Sequence, residues 1–348
     1  MNLVRGRRAR RSLDDESLAL LVGTFFFAVC AIVALFVFWD RQVPISGRQS
    51  LGDFAAVAGA TAATASFALS RLRPRSGRDG EAPEAKVAKY WWIDLVALAA
   101  AYGTIALIGW IGVAMILNHS FIGATLYATP AVILAATAAA LSSYLAYVSG
   151  AGLSPRHLAL VLAVFLVVGM LTAMLSSADP HWWQLNLSAL GRTHDISALT
   201  FNLTLIVSGV IVTTIARFGT ASVPAQTSSE QRRRAVVRAL FVLLGVFLAC
   251  VGIFPVDQFF LIHNTVATGM CVVFAVLVIG LPWLIPSMPR TFLVLGYVYV
   301  GVIVVLAVLF MVGVYNLTAV ELVSALLIFS WIILFLRNVQ SPQTAVHA

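Results

Sequence analysis

Polar side chains are scarce in this chain, and those of its second half could do chemistry together. His263 and Asn264 follow the turn Phe254-Pro255-Val256-Asp257-Gln258. His194-Asp195 opens a helix that carries Asn202 about two turns deeper. Asp195, Asn202 and Gly209 are seven apart and share one helical face. Aspartate beside imidazole orients the ring and favours its charged form. His263, with Asp257 or Asp195, is therefore a candidate for general acid–base catalysis. The same residues suit a structural knot, since Asn202 and His263 at membrane depth need hydrogen-bond partners.

The segment before them is the most distinctive in the sequence. It reads Ser176-Ser177-Ala178-Asp179-Pro180-His181-Trp182-Trp183-Gln184-Leu185-Asn186-Leu187-Ser188-Ala189-Leu190-Gly191. Two tryptophans beside polar residues suit the headgroup layer of a membrane. A short interfacial helix that anchors a bundle is one reading. A lid or lipid-headgroup contact over a cavity is the other. In the second reading Trp183, Asn186, His194, Asn202 and Asn264 bind the lipid or substrate.

These residues must be held by membrane helices. Of 348 residues, 61% are hydrophobic and 10% charged, and mean hydropathy is +0.96. Soluble domains carry roughly 25% charged residues. A soluble enzyme, a disordered regulator and a disulfide-stapled module are excluded. An all-α, polytopic membrane bundle remains. A bilayer core takes about 20 apolar residues per helix. That length predicts ten transmembrane helices, at about 17–39, 53–71, 91–117, 121–148, 157–178, 196–217, 235–254, 259–283, 291–314 and 319–336. The second is weakest, rich in Ala, Thr and Ser. Its Ala55, Gly59 and Ala63 form a small-residue face suited to close packing. The first reads as a signal anchor, too long for a cleaved signal peptide.

The net charge is +8. The basic residues sit in short loops between apolar spans, so they read as topology determinants facing anionic lipid, with no nucleic-acid partner. With the N-terminus in the cytoplasm, the inner segments hold nineteen arginines and lysines and the outer ones only Arg41, Arg48 and Arg192. Both termini are then cytoplasmic. The excess of arginine over lysine, with abundant alanine, suggests a GC-rich bacterial genome and hence the plasma membrane of a bacterium.

The expected organisation is a basic tail at 1–16, a four-helix module at 17–150, a six-helix domain at 151–340 and a tail at 341–348. Residues 72–88 and 218–231 read as cytoplasmic linkers. The module boundary falls in the Gly150–Pro155 turn, where Ser154 caps a helix with Pro155 in its first turn. Ser50 with Asp53, Ser12 with Asp15, and Thr318 with Glu321 have cap-like spacing at three helix starts. No metal and no cofactor is expected. Cys30, Cys250 and Cys271 lie within apolar spans without metal-ligand spacing, and no histidine pair faces across the membrane as a haem would need. GxSxG, P-loop and HExxH motifs are absent from the sequence.

Residues about 158–340 resemble the bacterial domain-of-unknown-function 998 family. The matching pieces are Leu190-Gly191, Phe201-Asn202, Ser208-Gly209, the Gly252-Ile253-Phe254-Pro255 turn with Asp257, and His263. That family is allied to the Frag/DRAM/Sfk group of six-span membrane proteins. The resemblance implies a six-helix domain and points toward lipids, without an established activity. Asn202, Asp257 and His263 are the polar positions it shares. The function expected is lipid binding or lipid modification at an outer-leaflet pocket, with membrane lipids as partners. A non-catalytic scaffold or a permease is the alternative, and the residues alone do not decide whether the chain is an enzyme.

Overall fold

The computed structural model describes residues 2–73, 91–192, 195–221 and 227–339. Residues 74–88 of the first expected linker, 222–226 of the second, His194 and the tail at 341–348 lie outside them, as do the side chains of the basic stretch Arg5 to Arg11. Ten long helices are described. They are α1 (Asn2–Val37), α2 (Leu51–Leu72), α3 (Trp91–Ser120), α4 (Ala128–Ala151), α5 (Pro155–Ser176), α6 (Ile196–Ala221), α7 (Ser228–Ile253), α8 (Phe260–Leu284), α9 (Arg290–Met311) and α10 (Leu317–Val339). Nine are long and apolar enough to cross a membrane, and α2 is not. Its Ala, Thr, Ser and Gly content lowers the hydropathy that a crossing helix needs. The chain is thus an all-α, multi-pass membrane protein.

Compactness divides the chain into Met1–Leu153 and Ser154–Ala348. In the first unit α2 packs against α3 and α4, and α1 packs on α4. Ala55, Gly59 and Ala63 are buried, as the small-residue face predicts. A Cβ on Gly59 would lie 2.8 Å from the Trp110 ring and 2.9 Å from Ser142 Oγ. Trp110 Nε1 donates to Ser142 Oγ at 2.8 Å across that contact. Gly59→Leu is therefore expected to part α2 from α3 and α4, at a cost of about 2–3 kcal/mol. Thermal melting of the detergent-purified protein would show a matching fall. Two short strands, β1 (Val43–Pro44) and β2 (Thr125–Leu126), pair antiparallel and tie the α1–α2 loop to the α3–α4 loop.

In the second unit each helix packs on the next, and α10 closes back on α5. Glycines set a close crossing. A Cβ on Gly245 of α7 would lie 2.6 Å from the Gly209 carbonyl of α6 and 3.0 Å from the Thr213 amide. The two backbones therefore touch, which only glycine permits. Trp331 is fully buried among Phe241, Phe274, Phe292 and Phe335.

Local signals explain most helix starts. Ser50 accepts from the Asp53 amide at 3.1 Å, and Ser154 accepts from the His157 amide at 3.2 Å with Pro155 opening α5. Two expected caps are not formed. Helix α1 runs back to Asn2, so Asp15 lies within it and pairs with Arg73 at 3.5 Å. Helix α10 begins at Leu317, so Asn316 takes the cap and accepts from the Ala319 amide at 3.0 Å. Thr318 and Glu321 then lie inside the helix and act elsewhere.

Candidate functional site

Between α5 and α6 the chain forms two 3-10 turns, Trp182–Gln184 and Leu187–Gly191, where one short interfacial helix was the simpler expectation. This loop closes one end of the second unit. Leu187 and Leu190 are buried with Ala173, Phe201, Leu205, Leu248 and Val251. Burying such a leucine contributes about 1.5–3 kcal/mol relative to leaving it in water.

Three helices hold the loop by hydrogen bonds. From α6, Asn202 Nδ2 donates to the Gly191 carbonyl at 3.2 Å, and Ser197 Oγ donates to the Leu190 carbonyl at 3.2 Å and to Ala173 of α5 at 2.9 Å. From α8, His263 Nε2 lies 3.0 Å from Ser188 Oγ. From α10, Glu321 Oε2 accepts from the Leu187 amide at 2.5 Å, with the Ser188 amide also on this carboxyl. Asn316 and Thr318 both donate to the Trp183 carbonyl, at 3.0 and 2.8 Å. The buried amides and carbonyls of an irregular segment at a membrane surface need such partners.

The imidazole of His263 is buried and fixed at both nitrogens. Nδ1 lies 2.7 Å from the Phe254 carbonyl, which can only accept, so Nδ1 carries the proton. In the neutral ring Nε2 is then the acceptor, and Ser188 donates its hydroxyl to it. The expected aspartate–histidine pairing is not formed. Asp257 is exposed in the turn before α8. Asp195 accepts from the Ala198 amide at 3.0 Å and so opens α6. Helical geometry separates them: Asp257 stays on the turn while His263 points inward one turn later.

Trp183 is half exposed, with Leu185 beside it. The Asn186 carboxamide is partly buried, and its Oδ1 has no hydrogen-bond partner. Asn264 faces away from the loop. It lines an open groove of about 620 Å³ between α7 and α8, with Phe247, Thr265, Thr268, Gly269 and Val272. The predicted residues therefore form two places. Asn202 and His263 knit the loop to the bundle, and Asn264 belongs to the groove.

Sequence reasoning missed Ser188 and Glu321 as participants. Their partners lie 75 and 134 residues away. The signal available for Glu321 was its cap-like spacing from Thr318, which pointed to a local role.

The pieces that carry the family resemblance meet here. A Cβ on Gly191 would lie 2.6 Å from Asn202 Oδ1 and 2.9 Å from the Phe201 ring. One on Gly252 would lie 2.6 Å from the Asn202 carbonyl, and two residues on, Phe254 receives the His263 ring. Gly209 lies at the α6–α7 crossing. No curated protein and no solved structure matches the chain. The family described as a protein of unknown function (DUF998) matches residues 159–338, the greater part of the second unit, and the chain belongs to that family.

Proposed function

We propose that this protein binds a membrane lipid in the groove between α7 and α8. One observation carries the reading: three polar side chains open toward the bilayer with no side-chain partner among the described residues. Asn264 is partly exposed, and Thr265 and Thr268 are exposed. Thr104, Thr137 and Thr172, by contrast, bond back to the carbonyl four residues earlier. Uncommitted donors at a lipid-facing surface are costly unless a ligand meets them.

Depth matches a glycerolipid. Asn264 lies about 6 Å and Thr268 about 12 Å along α8 from its first residue, at 1.5 Å per residue. The headgroup layer is about 5–7 Å thick on each side. Asn264 then meets ester carbonyls, and Phe247, Val272 and Val273 lie beside the acyl chain. The arginine and lysine distribution supports placing this end at the outer leaflet of a bacterial plasma membrane.

Native mass spectrometry of the protein titrated with phosphatidylglycerol or phosphatidylethanolamine would test this. Each lost hydrogen bond is worth about 0.5–1.5 kcal/mol. Asn264→Leu with Thr268→Val should therefore weaken lipid retention about tenfold or more. Equal retention by the double variant and the parent would sink the reading. Then the rigid loop, with Trp183 and Leu185 outward, would favour a scaffold that presents this surface to another protein.

A further inference from the structure

We propose that Ser188 is an acyl-accepting nucleophile activated by His263, and that its substrate is a carboxylic ester of a membrane lipid. The lipid identity of the ester rests on the reading above. The nucleophile itself rests on separate geometry.

A serine hydroxyl needs a base aimed at its proton and a third group that fixes the base. Both are present. Phe254 holds the Nδ1–H at 2.7 Å, which leaves the Nε2 lone pair on Ser188 Oγ at 3.0 Å. The ring is 2% exposed and tied at both ends, so its tautomer is set by the fold. Ser188 is itself buried, three residues from the half-exposed Leu185, so an ester reaches its hydroxyl only as this loop parts from α8.

The developing oxyanion needs a donor. The Leu187 and Ser188 amides are taken by Glu321, so they cannot serve. Asn186 can. Its carboxamide is two residues from Ser188, with a polar end buried and unpartnered. Oxygen and nitrogen of such an amide are assigned by their surroundings, and the exchanged orientation places Nδ2 there as a free donor.

The step balances as a transesterification. Ser188 Oγ attacks the ester carbonyl carbon while its proton passes to His263 Nε2. The carbon–oxygen bond to the leaving alcohol then breaks, and that oxygen takes the proton from Nε2. The acyl group remains on Ser188. Water, or a hydroxyl of a second molecule, attacks next and delivers its proton to Nε2, which restores the serine. A mere latch between loop and α8 would need the hydrogen bond but not the reactivity.

The test uses the full-length protein in detergent or nanodiscs, treated with a long-chain alkyl fluorophosphonate and read by intact and peptide mass. The expected result is one adduct on Ser188, formed with loss of fluoride. It should be absent in Ser188→Ala and at least tenfold slower in His263→Gln. Asn186→Ala should slow turnover of a long-chain p-nitrophenyl ester about tenfold. Melting curves run beside each variant, and the wild-type result stands without them. Folded wild-type protein that forms no Ser188 adduct overturns the proposal, as does equal labelling of a folded His263→Gln. Lipid retention by native mass spectrometry in the same samples separates the two readings. Lipid without adduct removes only the nucleophile. An adduct with turnover of short-chain esters alone, and no retained lipid, removes only the lipid reading.

Discussion

Glu321→Leu is expected to loosen residues 182–191 and to cost the second unit about 3–5 kcal/mol. The carboxyl of Glu321 takes the Leu187 amide at 2.5 Å and the Ser188 amide beside it. A buried amide left without a partner costs about 1–3 kcal/mol. Leucine leaves two such amides where water is scarce. Hydrogen exchange over the peptide containing residues 182–192 would rise about a hundredfold or more, since about 1.4 kcal/mol is one decade. Glu321→Gln keeps an acceptor oxygen and should lose roughly half as much. Exchange in that peptide unchanged by Glu321→Leu would show that the apolar anchors Leu187 and Leu190 suffice alone.

The second large effect is expected at the α6–α7 crossing. Gly245→Val places a branched side chain where a single Cβ already comes 2.6 Å from the Gly209 carbonyl and 3.0 Å from the Thr213 amide. Both neighbours are backbone and cannot rotate aside. The helices must separate by more than a methyl radius, which costs about 3 kcal/mol or more, at the upper end for overpacked sites. Melting temperature in detergent should fall, and the Gly252–Asn202 contact of the same helix pair should open with it. Gly301 of α9 supplies the control. Its Cβ would meet nothing within 4 Å. Gly301→Ala should be neutral or stabilise by about 0.5–1 kcal/mol through helix propensity.

Much of the fold was legible because membrane helices are written locally. A run of apolar residues announces a span whatever it packs against. Caps such as Ser154–Pro155 are read within four residues. What the sequence hid was the polar contacts between distant segments. Thr318 and Glu321 carry cap-like spacing, yet Asn316 caps α10 and both side chains reach the loop. His263 stands six residues from Asp257, yet its ring meets Ser188 and Phe254. The two-residue strands β1 and β2 are too short for any alternation to show. The hydroxyls of Thr200, Thr204 and Ser208 on α6 are 0% exposed, a burial that no local pattern in the sequence marks.

The order of synthesis follows from where the loop finds its partners. Asn202 emerges soon after the loop, but His263 and Glu321 trail it by tens of residues, at separations of 75 and 134 from Ser188 and Leu187. Until α8 has inserted the Ser188 hydroxyl lacks His263, and until α10 has inserted the amides of Leu187 and Ser188 have only water or headgroups to bond. Non-local closure of this kind is slow compared with helix insertion. Docking of the loop is therefore the final act of assembly for this unit, and a chain halted before Leu317 would carry its six-helix ring open at that end.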